Sequence, residues 1–254
     1  MEFNKYLSYF KKPAVIGLFV FFLLMALTQY LSYQKYLILK KEKEQQVLDA
    51  AKLAKNTLQT SLFHSLSAAK TLAFIINKYG VPDDFDAVAK ALIASNEYID
   101  AIELFQKGVI THVYPLKGNE SIIGYDISAD SSRRKEAWKA IEKKELFFAG
   151  PIKLKQGGIG VVGRLPIFKD GFFWGFSAVL IKLPTLIKAL GVNPSNDKNF
   201  IYQLSKINPD TKKEEFFFSH NESFENENSI SIDIPNGEWK LYVKSKNNNL
   251  FLSI

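Results

Sequence analysis

The stretch Val161-Val-Gly-Arg-Leu-Pro-Ile-Phe-Lys-Asp-Gly-Phe-Phe-Trp-Gly-Phe-Ser-Ala-Val-Leu-Ile-Lys182 decides the fold class. Two runs of β-branched and aromatic residues, Val161–Phe168 and Phe172–Lys182, flank Lys169-Asp170-Gly171, a hairpin signal. Joined so tightly, the two strands are antiparallel neighbours, which argues against a doubly wound parallel sheet and for an α+β fold.

The pattern continues outward on both sides. Upstream, strands are predicted over Ala101–Phe105, Val109–Leu116 and Ile152–Lys155, with a polar helix over Ser131–Lys144 and another over about Phe85–Ser95. The acidic run Asp83-Asp84-Phe85-Asp86 is read as the cap of that last helix and not as a metal loop. Downstream, a helical Leu183–Leu190 leads to strand-like stretches at Phe200–Ile207, Glu215–Ser219, Ser229–Ile234 and Trp239–Lys244. Asn-, Pro- and Asp-rich turns separate them, as in a second, smaller sheet.

The N-terminal third is helical. Pro13–Tyr33 carries no charge and meets the roughly 20 residues that a membrane-crossing helix needs. A cleaved signal peptide would have a shorter apolar region and a small-x-small site, so the span is expected to be retained. Lys5, Lys11 and Lys12 before it favour a cytoplasmic N-terminus, although Lys35, Lys40, Lys41 and Lys43 follow it. Beyond the span, Val47, Ala51, Ala54, Leu58, Leu62, Leu66, Ala69, Ala73 and Ile76 fall on one helical face. A helix from Gln34 to Tyr79 would be roughly 70 Å long at 1.5 Å per residue, longer than a compact domain could cover. Its stripe suits pairing with a second copy or packing on the chain's own core. Gly80 and Pro82 end it. The closing Leu250-Phe-Leu-Ser-Ile254 reads either as the start of a second span or as an apolar tail.

The net charge of +7 is scattered through the sequence, and with a membrane anchor present it does not indicate nucleic acid. Cysteine is absent, which removes disulfides and thiolate chemistry. Gly158-Ile-Gly-Val-Val-Gly163 matches a dinucleotide fingerprint in letters only. A strand follows it and no acid lies near Leu180, so it reads as a glycine turn between strands. His64, His112 and His220 lack the spacing of a zinc site, and no catalytic motif is present. Neither a metal nor another cofactor is expected. Asn119-Glu120-Ser121 and Asn221-Glu222-Ser223 match glycosylation sequons.

Several motifs occur together in the middle of the chain: His112-Val-Tyr-Pro-Leu-Lys-Gly-Asn-Glu120, Gly124-Tyr-Asp-Ile127, Arg133-Arg134 and Gly150-Pro-Ile-Lys-Leu-Lys-Gln-Gly-Gly-Ile-Gly160. Arg164-Leu-Pro-Ile-Phe168 and Gly171-Phe-Phe-Trp-Gly-Phe176 follow in order. Together they resemble the CHASE sensory domain of bacterial receptors and plant cytokinin receptors, over about Phe85 to Leu190. The resemblance implies a membrane-tethered extracytoplasmic sensor, with the sensory part outside the inner membrane. It further implies a long N-terminal helix and two PAS-like subdomains with antiparallel sheets, the membrane-distal one holding a small-molecule ligand.

The expected organisation is therefore a cytoplasmic N-terminus (residues 1–12), a transmembrane helix (13–33) and a stalk helix (34–79). A distal PAS-like core (80–190) and a proximal PAS-like subdomain (191–254) follow. The expected partners are the membrane, a small molecule and a second copy in a parallel homodimer through the stalk. The rival reading is a ligand-independent periplasmic interaction module. No enzyme activity is expected, a kinase or cyclase output lying outside this chain. Plant receptors carry a pocket acid where this chain has Leu116-Lys117-Gly118-Asn119, so a cytokinin is not carried over. The candidate ligand-lining residues are Tyr114, Leu116, Asn119, Tyr125, Asp126, Phe148, Leu154 and Arg164. Among them Arg164 is the anchor for an anionic or carbonyl group, because a guanidinium in an apolar strand must reach water or find a partner. Asp126 is its structural alternative.

Overall fold

The computed structural model describes residues 13–192, 194, 197–218, 224 and 229–246. His220, the second sequon, Ser219 and Leu250–Ile254 lie outside the described residues. The described residues fall into two compact units, one ending at Gln46 and the other running from Val47 to Lys246.

In the first unit the described residues all belong to helix α1, Pro13–Tyr79, which continues into the second unit. Its apolar N-terminal part is long enough to cross a membrane, and none of it is buried. Nothing interrupts the helix between the predicted span and the predicted stalk, because no Gly or Pro falls between Leu18 and Tyr79. It stops where Gly80 takes φ +87° and its N–H bonds the Ile76 carbonyl.

In the second unit, the predicted stripe of α1 is covered by the chain's own core. Val47, Ala51, Ala54, Leu58, Leu62, Ala69, Ala73 and Ile76 are buried, and Leu66 packs beside them. Of the two partners open to the stripe, the chain's own core thus takes Leu58 and Leu62.

Helix α2, Phe85–Ala94, is capped by Asp84, whose carboxylate accepts the Ala87 N–H at 2.9 Å. The first sheet comprises β1 (Ala101–Gln106), β2 (Val109–Tyr114), β3 (Phe147–Lys153), β4 (Ile159–Lys169) and β5 (Phe172–Lys182). Its order is β2-β1-β5-β4-β3, with all pairs antiparallel. The β4–β5 turn carries Asp170 and Gly171 at positive φ, as its sequence requires. Strand β3 begins five residues before its predicted start. Gly150-Pro151 interrupts its pattern, yet the pairing with β4 passes over a bulge between Ala149 and Ile152. The Gly158 region forms the β3–β4 turn, where the Leu154 N–H donates to the Gly158 carbonyl.

Helix α3, Ser131–Lys143, begins at Asp130, which accepts the Arg133 N–H at 3.1 Å. Helix α4, Leu183–Ala189, leads to the second sheet: β6 (Phe200–Ile207), β7 (Glu214–Phe216), β8 (Ser229–Ile234) and β9 (Trp239–Ser245), ordered β7-β6-β9-β8 and again antiparallel. The architecture is α+β with two antiparallel sheets. One face of the first sheet joins α1, α2 and the second sheet in a common core. The other face forms a separate core with α3 and the segment between β2 and α3.

Candidate ligand-binding site

Alternation along a strand sends side chains to opposite faces, so register determines which residues meet. Glu103 of β1 and Arg164 of β4 both stand opposite Ala178 of β5, and all three therefore share one face. That face also carries Phe105, Phe176 and Val162, beneath the small faces Ala137 and Ala140 of α3. On this face, against the segment between β2 and α3, the β3–β4 turn and Arg133 at the start of α3, remains a cavity of about 20 Å³, lined among others by Glu103, Phe105, Tyr125, Arg133, Gln156 and Arg164. That is room for about one water molecule, so the site as it stands is closed down.

Its polarity is unusual for a core. Arg164 is 2% exposed, and its Nε and Nη1 have no hydrogen-bond partner. The guanidinium lies 5.7 Å from the Phe105 ring centroid. Burial holds its pKa below the ordinary guanidinium value, against the opposing pull of the Glu136 and Glu103 charges. Glu103 is 3% exposed, and burial pushes its carboxyl up to about 7, with Arg164 and Arg133 pulling the other way. Among the described residues no hydrogen bond or ion pair joins Glu103 to Arg164.

Around this pair the walls are better satisfied. Arg133 pairs with Asp130 at 3.4 Å, donates to the Lys153 carbonyl at 2.8 Å and stacks 5.1 Å from the Tyr125 ring centroid. Lys155 covers Tyr125 as well. The buried Glu136 of α3 forms an ion pair with Lys206 of β6, leaving its Oε2 without a partner. Asp210 and Glu238 hold Lys135 and Lys139 of the same helix from the second sheet's turns. The first turn of α3 thus borders the cavity through Arg133 while other residues of the helix are fastened to the second sheet.

The residues expected at the site are only partly gathered there. Tyr125, Leu154 and Arg164 line the cavity. Asn119 is buried next to it and accepts a hydrogen bond from the lining Gln156 at 3.1 Å. Tyr114 and Phe148 point to the opposite face and pack in the core with α1, Phe148 lying 5.9 Å from the Trp239 ring. Leu116 is exposed. Asp126 does not pair with Arg164; it caps a 3-10 turn through the Ser128 N–H at 2.7 Å, and the hydrogen bonds from Ser128 lower its pKa. Glu103, Arg133 and Glu136 are additions to the expected set. Glu103 is visible in the sequence as a lone charge in Ala101-Ile-Glu-Leu-Phe105, on the alternation phase of Ala101 and Phe105.

A family model described as "CHASE domain" matches residues 81–217, more than half of the chain. No curated protein matches the sequence. Among solved structures, the chain is similar to the extracellular domain of the putative histidine kinase soHK1S-Z6 (14% identity, 87% of this chain and 100% of that one, TM-score 0.57). It is also similar to the ligand-binding domain of the Pseudomonas aeruginosa amino acid chemoreceptor PctB in complex with L-Arg (12% identity, 83% and 98%, TM-score 0.61). An extracellular ligand binding receptor from Desulfohalobium retbaense matches 78% of this chain at 16% identity and TM-score 0.57, and the chain spans 40% of that receptor's length. At such identities these likenesses concern the fold.

Proposed function

The chain belongs to the CHASE domain family, and from that premise we propose that it is an extracytoplasmic small-molecule sensor whose ligand enters the cavity beneath α3. The observation that carries the reading is Arg164, a guanidinium buried in the core with two nitrogens unpartnered. A fold tolerates such a group at a cost of about 1 to 3 kcal/mol for each unmet hydrogen bond, more for a charge, and a ligand carboxylate or carbonyl would meet it. The PctB domain, whose structure is in complex with L-Arg, supports a ligand of small size.

Because the cavity admits only about one water, entry requires α3 or the segment before it to move. The ties from α3 to Lys206, Asp210 and Glu238 give that displacement a route into the second sheet. The ligand then acts by its differential affinity for the closed and opened arrangements. Membrane attachment rests on the apolar part of α1; a cytoplasmic N-terminus rests on its leading lysines and on the family. We divide the chain functionally as residues 1–12, 13–33, 34–79, 80–190 and 191–254. A parallel homodimer through α1 would use its outer face, where Leu53, Phe63 and Phe74 are exposed.

Native mass spectrometry of the anchored chain released from detergent tests the sensor reading. A co-purified small molecule that is lost in Arg164→Ala is the expected result. An adduct retained undiminished in Arg164→Ala would overturn the assignment of this cavity.

A further inference from the structure

On the premise that the cavity beneath α3 takes a sensor's ligand, Glu103 and Arg164 together bear on the charges that this ligand carries. They stand on the same cross-strand row with only the methyl group of Ala178 between them, two strand spacings or roughly 10 Å apart at the backbone. Each is at least 97% buried, one a guanidinium and the other a carboxyl that bears opposite charge once ionised. Two such groups in an apolar core gain most by meeting, since contact at low dielectric is what offsets their desolvation. They form no hydrogen bond or ion pair with each other: Arg164 keeps Nε and Nη1 unpartnered, and Glu103 feels the Arg164 and Arg133 charges only at a distance. The remaining charges of the site do not complete them either. Arg133 is committed to Asp130 and the Lys153 carbonyl; Glu136 pairs with Lys206 through one oxygen, and although its charge acts on Arg164 it makes no hydrogen bond or ion pair with the guanidinium.

We infer that the site is built for a compact zwitterion, its carboxylate held by Arg164 and its ammonium by Glu103. Such a molecule brings each buried group the partner that the other cannot supply, and its own charges cancel, so complex formation adds no net charge to the core. A simple carboxylate would satisfy Arg164 alone and a simple amine Glu103 alone. Each would leave one buried charge as unmatched as before, while still incurring the entropy loss of ordering the ligand. The small volume of the cavity, about 20 Å³, favours a compact molecule with ammonium and carboxylate on the same or neighbouring carbons, as in an α-amino acid. Arg133 and Tyr125 at the rim then bound the space for the remainder of the molecule.

The test is calorimetric titration of the anchored chain in detergent with the protein L-amino acids, each alongside its N-acetyl derivative, its carboxamide and the corresponding 2-hydroxy acid. At least one amino acid should bind, with each of the three alterations weakening it tenfold or more. In Glu103→Gln, an isosteric change, the parent should bind at least tenfold more weakly while the N-acetyl form loses nothing further; Arg164→Gln should do the same for the carboxamide. If the hydroxy acid or N-acetyl form binds as tightly as the parent, the zwitterion is refuted while an anion-sensing cavity stands. If no amino acid binds and native mass spectrometry identifies a different molecule lost in Arg164→Ala, the inference falls and the sensor reading survives. Absence of any bound or binding molecule in both experiments overturns both.

Discussion

Replacing Glu103 by Gln should stabilise the ligand-free protein, and by an amount that depends on pH. Burial is the main reason that the Glu103 carboxyl titrates near 7 in the fold, above its ordinary value of 4.5, with Arg164 and Arg133 recovering only part of the penalty. Between those values the unfolded chain has lost its proton while the folded chain retains it, so folding takes up a proton and stability falls as pH rises. The contribution from the neutral carboxyl is fully present below about 4.5 and is gone above about 7. A difference of 2.5 (7 minus 4.5) at about 1.36 kcal/mol per unit gives roughly 3 kcal/mol across this window. Glutamine keeps the shape and does not titrate. The stability of Glu103→Gln relative to the parent should therefore rise by about that amount between pH 4.5 and pH 8, while titrations elsewhere cancel in the difference. Urea denaturation of the anchored chain in detergent reports this through Trp138, Trp174 and Trp239, which all lie in the second unit. A stability difference that stays constant with pH, or one that shrinks as pH rises, would refute the burial argument.

Lys206→Met should cost about 3–5 kcal/mol, because it leaves Glu136 charged and unpaired in the core, whereas Glu136→Leu combined with Lys206→Met should recover most of that loss; urea denaturation of the single and double variants decides it. Substituting Asp for Leu53, Phe63 and Phe74 on the outer face of α1 should convert crosslinked dimers of the anchored chain to monomers with the fold intact, and a parent chain that never crosslinks would remove the dimer. Alkaline phosphatase fused after Lys246 should be active; an inactive reporter in a well-expressed fusion would reverse the proposed topology.

The parts of the fold that read clearly from sequence are those whose signal is local. Lys169-Asp170-Gly171 specifies a hairpin by turn chemistry alone, and the stripe from Val47 to Ile76 specifies a helix by period alone. What the stripe faces is not local: a partner helix and the chain's own sheets demand the same residues, and the sheets occupy them. The site follows the same division. Arg164 stands out as a charge within an apolar strand, and Glu103 carries the same mark in β1 although it is absent from the expected set. Phe148 is expected at the site, yet Phe147 holds the position on that face. A one-residue change of phase exchanges the faces of a strand, and Leu146-Phe147-Phe148 is apolar on both. Glu136 and Lys206 are 70 residues apart, and nothing near either one announces the other.

The central claim is that Arg164 is kept for a ligand and not for the fold, and the ligand-free stability of Arg164→Met tests it most directly. Methionine fills much of the same volume without a charge or an unmet donor, and desolvation is the dominant influence on the buried guanidinium. The account predicts a melting temperature equal to or above that of the parent, together with loss of the co-purified small molecule. A fall in stability of several kcal/mol with ligand retention unchanged would show that Arg164 holds the structure together, and would contradict the account.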